Sequence, residues 1–140
     1  MSNGQNSHGN KDLREKLLIE FDEKDITLII DDGDYDHLVK KADKWAEGLK
    51  EKLSTSQIRN IFGEVKQIQL RGFEKNKNRF KLLKPKLAYA SHRSGSNCPK
   101  EFSNLLEDAI SAVGDNEVKF ERFVDLFESL LAYHKAWGGK

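Results

Sequence analysis

From Tyr35 to Trp137 the apolar residues of this chain recur at steps of three and four, which is the period of one buried face on an α-helix. Tyr35, Leu38, Val39, Ala42, Trp45, Ala46 and Leu49 make the first stripe, and Ile58, Ile61, Phe62, Val65 and Ile68 the second. Phe80, Leu83 and Leu87 give a shorter third. Phe102, Leu105, Leu106, Ala109, Ile110 and Val113 form the fourth. Phe120, Phe123, Val124, Phe127, Leu130, Leu131 and His134 form the last. A half-buried sheet needs a period of two, and the one β-like run, Ile26, Leu28, Ile29 and Ile30, is short and has no convincing partner. It reads as an extended or short helical packing segment.

The residues between the stripes punctuate them as helix ends. Asp34 suits an N-cap, and Ser54 with Gln57 has capping-box spacing. Gly72 should end or bend the second helix. Pro85 predicts a kink, or a break with a new helical turn beginning there. His92 to Pro99 reads as a loop, with Pro99 in the first turn of the next helix. Gly114 to Asn116 reads as a turn, and Gly138 and Gly139 as a stop. Ahead of these, Leu13, Leu17, Leu18 and Phe21 fall on one face of a short amphipathic helix, while Met1 to Asn10 has almost nothing to bury. The expectation is an all-α protein, a compact antiparallel bundle of about five helices with a disordered N-terminal tail. Its expected parts are a tail over 1–10, a short helix and packing segment over 11–33, and a helical bundle over 34–138.

The 140 residues suit one domain burying roughly two thirds of the surface of its unfolded chain. No run approaches the ~18 apolar residues of a membrane span, and the N-terminus lacks the apolar stretch of a signal peptide. The single cysteine, Cys98, has no internal disulfide partner. A reducing, cytoplasmic setting is expected, with no membrane association.

The net charge of +1 conceals three unlike segments. Residues 1–52 carry 9 basic and 13 acidic side chains, residues 53–100 carry 11 and 2, and residues 101–140 carry 4 and 8. Only Glu64 and Glu74 interrupt the central positive run. A basic middle between acidic flanks presents a face that attracts a polyanion, unless the acidic neighbours neutralise it internally.

Catalytic chemistry has little to stand on. Asp31, Asp32, Asp34 and Asp36 lack calcium-loop spacing and read as a solvated turn leading into an N-cap. His8, His37, His92 and His134 are scattered, and Cys98 is alone, so no zinc site is expected. Cys98 and His92 lack an orienting group and an oxyanion site. Gly63 and Gly72 do not form a phosphate loop. No catalytic residue, cofactor or metal is assigned, and His134 reads as a partly buried packing residue.

Binding is better supplied. Arg59, Lys66, Arg71, Lys75, Lys77, Arg79, Lys81, Lys84, Lys86 and Arg93 cannot all share one direction, but about half forming a patch would neutralise phosphates without reading bases. Arg59 and Lys66, seven apart, share a face. Ser91, Ser94 and Asn97 offer hydrogen bonds near the loop. Tyr89 reads first as a core or interface aromatic, and as a base-stacking residue if exposed.

Two stretches then carry a resemblance. Leu53 to Val65 (LSTSQIRNIFGEV) and Leu82 to Arg93 (LLKPKLAYASHR), with Phe102 to Ile110 (FSNLLEDAI) fitting the same pattern, resemble the small helical subunit of type III-A CRISPR RNA-guided effector complexes, the Csm complexes. The similarity runs from about Tyr35 to Trp137. It implies a non-catalytic RNA-binding subunit in antiviral defence, stacked in several copies along backbone subunits that hold the crRNA. The partners implied are crRNA or target RNA, the backbone and large signature subunits, and neighbouring copies. Carried onto this sequence, Arg59, Lys66, Lys84, Lys86 and Arg93 are the first candidates for RNA contact, with Gln57 and Asn60 behind them. Two other readings stay open: a protein–protein scaffold without RNA contact, and a small nucleic-acid-binding regulatory bundle.

Overall fold

The computed structural model describes residues 20–93 and 98–139, and among these residues every regular element is helical. The expected tail and the helical face of Leu13, Leu17 and Leu18 lie outside the described residues. Phe21 is described, half-buried, with its ring edge-on to Trp45 at 6.1 Å between centroids.

The β-like run is helical. A short α1, Glu23–Ile26, continues directly into a π-helical turn, Thr27–Asp31. Asp22 and Asp25 start it reciprocally: the Asp25 N–H donates to Asp22 Oδ1 at 3.1 Å, and the Asp22 N–H to Asp25 Oδ2 at 3.0 Å. Ile26, Ile29 and Ile30 enter the same core as the rest of the bundle. Gly33 then turns the chain with φ +68°, a left-handed value that favours glycine. Arg122 closes this turn from the far end of the sequence, donating from Nη1 to the carbonyls of Ile30 at 3.0 Å and Asp31 at 2.9 Å.

Helix α2, Tyr35–Leu49, is capped by the Asp34 carboxylate, which accepts the His37 N–H at 3.0 Å. Its buried stripe is narrower than the spacing suggests. Leu38, Ala42, Trp45, Ala46 and Leu49 are buried, while Tyr35 and Val39 are each 45% exposed on the flank. Helix α3, Thr55–Arg71, begins at Ser54, whose Oγ accepts the Gln57 N–H at 3.2 Å, and ends at Gly72. A 3-10 turn, Glu74–Asn76, leads into α4, Lys77–Lys81, and α5, Leu83–His92. The break falls at Leu82, three residues before Pro85. Pro85 therefore occupies the first turn of α5, where its missing N–H has no intrahelical partner to lose. Helix α6, Lys100–Val113, takes Pro99 as its N-cap and not within its first turn. Helix α7, Glu117–Ala136, starts at Asn116, whose Oδ1 accepts the Lys119 N–H at 2.9 Å.

Helix α7 is the axis on which α2, α3, α6 and the π-helical turn pack, while α5 packs on α6. Its Phe120, Phe123 and Phe127, at i, i+3 and i+7, meet rings from four other places. Phe73 stacks on Phe120 at 4.5 Å, Phe80 sits edge-on to both Phe120 and Phe123 at 5.1 Å, and Phe62 and Phe102 reach Phe127 at 5.2 and 6.1 Å. Leu126, outside the expected stripe, is also fully buried, because α7 is covered on more than one side.

Successive long helices reverse direction, as expected. Lys84 near the start of α5 meets Ser111 near the end of α6, and Gln69 near the end of α3 meets Glu121 near the start of α7. The contact that closes the bundle is different. Tyr35 pairs with Asp125, Asp43 with Trp137 and Leu53 with His134, so α2 and α7 rise together. Five alternating helices leave the first and last pointing the same way, and here those two are neighbours.

Candidate nucleic-acid interface

Helix α3 turns two different flanks outward. At about 100° per residue, Arg59 and Lys66 lie within one narrow sector, as their spacing predicts. That sector borders α7. The Lys66 ammonium lies 5.8 Å from the Phe62 ring centroid and donates to Gln69 Oε1 at 2.8 Å, and the Gln69 amide donates to Glu121 Oε1 at 2.7 Å. Lys66 is thus tied through Gln69 to a carboxylate of α7. Arg59 is exposed, and its guanidinium has no partner among the described residues.

The opposite flank of α3 carries Gln57, Asn60, Glu64 and Arg71, at i, i+3, i+7 and i+14. Helix α5 presents Lys86 and Tyr89 at i and i+3, and Arg93, the C-cap just past its end, follows at i+7. The two lines meet where Lys86 Nζ reaches Glu64 Oε1 at 2.9 Å. For ideal helices running in opposite senses, this bridge would set Tyr89, about 4.5 Å further along α5, near the level of Asn60, and Arg93 near that of Gln57. Their backbones do not pack closely, and the ion pair bridges the strip between them, the α3–α5 groove. Asn60, Lys86, Tyr89 and Arg93 are all exposed along it, and the Arg93 side chain has no partner among the described residues.

Lys84 points elsewhere. Its ammonium donates to Ser111 Oγ on α6 at 2.6 Å and also faces Asp108. Burial pushes the Asp108 carboxyl up, and Glu107 and Glu23 add to this against Lys84. The seven candidates therefore fall into three sets: Gln57, Asn60, Lys86 and Arg93 on the groove, Arg59 and Lys66 beside α7, and Lys84 against α6.

Grouping the basic residues by charge misses two members of the groove. Glu64 is more than an interruption of the positive run, since it holds Lys86. Tyr89 is not a core residue of this chain; it is 70% exposed. The i, i+3, i+7 spacing of Gln57, Asn60 and Glu64, and of Lys86, Tyr89 and Arg93, is the sequence signal that finds them.

Internal neutralisation is real but partial. Lys77 pairs with Glu74 at 2.9 Å, Lys81 with Asp115 at 2.7 Å and Lys119 with Asp31 at 2.9 Å. The side chains of Arg59, Arg71, Lys75, Arg79 and Arg93 have no ion pair among the described residues. Asp34 caps α2 and Asp31 takes Lys119, which accounts for half of the aspartate run by ordinary local structure. His134 is buried, with Nε2 donating to the Leu53 carbonyl at 2.7 Å. Among the described residues no group of three His, Cys, Asp or Glu side chains is placed to hold a metal ion, and no helix is long and apolar enough to cross a membrane.

Fold and surface together define a small all-helical bundle whose basic centre is turned outward between acidic segments. A family model described as Csm2 Type III-A matches residues 32–140, and the chain belongs to that family, the small subunit of the type III-A CRISPR effector complex. The match begins within a few residues of Asp34, close to where the resemblance in the sequence begins. No curated protein and no solved structure matches the chain.

Proposed function

We propose that this chain is a non-catalytic subunit that holds the guide–target RNA of its effector complex through the α3–α5 groove. The observation that carries this reading is the pair of facing lines, with Lys86 and Arg93 on one wall and Gln57 and Asn60 on the other. Two cations about 10 Å apart along a helix suit successive phosphates of one strand, and the amides add hydrogen bonds to sugar or phosphate. Glu64 holds Lys86 extended across the groove until a phosphate replaces it. Arg71, at the far end of the same line, extends the positive track.

The Arg59 and Lys66 flank supports a different role. It adjoins the exposed Glu121, with the half-buried Asp125 and the exposed Glu128 following on the same face of α7. This is a surface of mixed sign that fits a protein better than a polyanion. We assign it to assembly, with a neighbouring copy or a backbone subunit as partner. RNA contact and stacking in several copies thus use separate sides of α3.

The test compares two sets of substitutions. Lys86→Ala with Arg93→Ala should weaken RNA binding for all sequences about equally and reduce the salt slope of log Kd by about two. Arg59→Ala with Lys66→Ala should leave the RNA slope alone and reduce incorporation into the complex. If the first pair leaves RNA affinity unchanged, or crosslinking in the assembled complex places the groove against protein alone, the chain is a scaffold subunit and the groove reading is wrong.

A further inference from the structure

We infer that Tyr89 is a stacking platform for an unpaired RNA base, so that the groove distinguishes single-stranded from duplex RNA. The inference rests on the groove being the RNA-contacting surface. A lone exposed tyrosine says little, since isolated apolar side chains are common on protein surfaces. What singles out Tyr89 is its setting and the employment of the other two tyrosines.

Tyr35 donates its hydroxyl to Asp125 across the α2–α7 contact, and Tyr133 is packed half-buried against the core. Tyr89 is 70% exposed and has no ring contact or side-chain hydrogen bond among the described residues. Helix α5 does not need it for packing, because Leu83 and Leu87 bury the inner face and Ala90 packs beside them. The ring stands between the two cations of its own line, Lys86 one turn before and Arg93 one turn after, with Asn60 on the exposed flank of α3 that Glu64 shares. Cations spaced for the backbone on either side of an aromatic face form the arrangement that grips a single strand. The phosphates are held at both ends, and the intervening base lies on the ring. A base paired in an A-form duplex has no free face to offer, and its phosphates are contacted without stacking. The hydroxyl of Tyr89 is not required for this, only the ring.

The experiment uses the full chain and a labelled twelve-nucleotide RNA, alone and annealed to its complement, with Kd measured by fluorescence anisotropy at fixed salt. Tyr89→Ala should weaken single-strand binding about tenfold while duplex binding changes less than twofold, and Tyr89→Phe should restore the loss. The salt slope of Tyr89→Ala should equal that of the wild type, because no phosphate contact is removed. Equal loss on single strand and duplex, failure of Tyr89→Phe to restore binding, or no loss at all overturns the inference while leaving the phosphate contacts standing. A wild-type chain that binds neither RNA, or a Lys86→Ala, Arg93→Ala chain that binds both normally, overturns the groove reading itself.

Discussion

The phenol of Tyr35 donates to Asp125, and that hydrogen bond, with burial and the negative charge of Asp125 adding to it, pushes its pKa up to about 12. A phenolate there would face a carboxylate with no proton between them. Absorbance at 295 nm during an alkaline titration should therefore show one of the three tyrosines ionising well above the ordinary value of about 10. Asp125→Asn should bring that phase down toward the ordinary value, and an unchanged titration in that variant would disprove the assignment. The residue scale is also where the sequence is hardest to read. Tyr35 fits the apolar stripe of α2 by spacing, yet its hydroxyl holds it on the flank. Tyr89 fits no stripe, and its residue type alone suggests packing. Periodicity reports which way a Cβ points and is silent on whether anything lies there to cover the ring.

Helix ends, by contrast, are legible almost position by position, because capping is a local hydrogen bond between residues three apart. Asp34, Ser54, Gly72 and Gly114 all do what their residue types predict. Ser54→Ala should cost about 1 kcal/mol in chemical unfolding, since the Gln57 N–H loses its acceptor. Gly33→Ala should cost more than a cap, about 1–2 kcal/mol for the left-handed backbone alone. The added methyl would also stand 2.7 Å from Arg122 Nε, in a guanidinium already anchored to two carbonyls. A Gly33→Ala chain as stable as the wild type would show that the turn relaxes without Arg122. Two features of the elements are not legible. The π-helical turn at Thr27–Asp31 depends on tertiary burial of two adjacent isoleucines, and the break at Leu82 precedes the proline that signals it.

At the scale of the molecule, the charge segments of the sequence become faces only through the packing. Counting charges yields a basic middle and does not show that α3 divides it between two sides. The same packing makes stability depend on acid. Burial alone would raise the Asp25 carboxyl, but the Asp22 N–H, the His37 ring at 2.9 Å and the Lys41 ammonium at 3.7 Å outweigh it and hold it below the usual carboxylate range. A group depressed in this way stabilises the fold fully above its unfolded value of about 3.9, and the contribution disappears as pH falls through the folded value. Asp25→Asn should thus destabilise the protein most near neutrality. Its difference from the wild type in urea unfolding should shrink steadily below about pH 4. A difference that stays constant with pH would mean that Asp25 acts only through its cap on α1.

The parallel pairing of α2 with α7 has a consequence for how the protein is made. On the ribosome, α2 emerges early with Trp45 and Leu49 already committed to a partner helix that has not yet been synthesised. The α5–α6 pair can form as it leaves the exit tunnel, since it joins segments close in sequence. The aromatic axis that α2, α3 and α6 pack against arrives last. Until it does, the nascent chain is a row of helices with their apolar faces open, and release of α7 is the event that turns them into a single core.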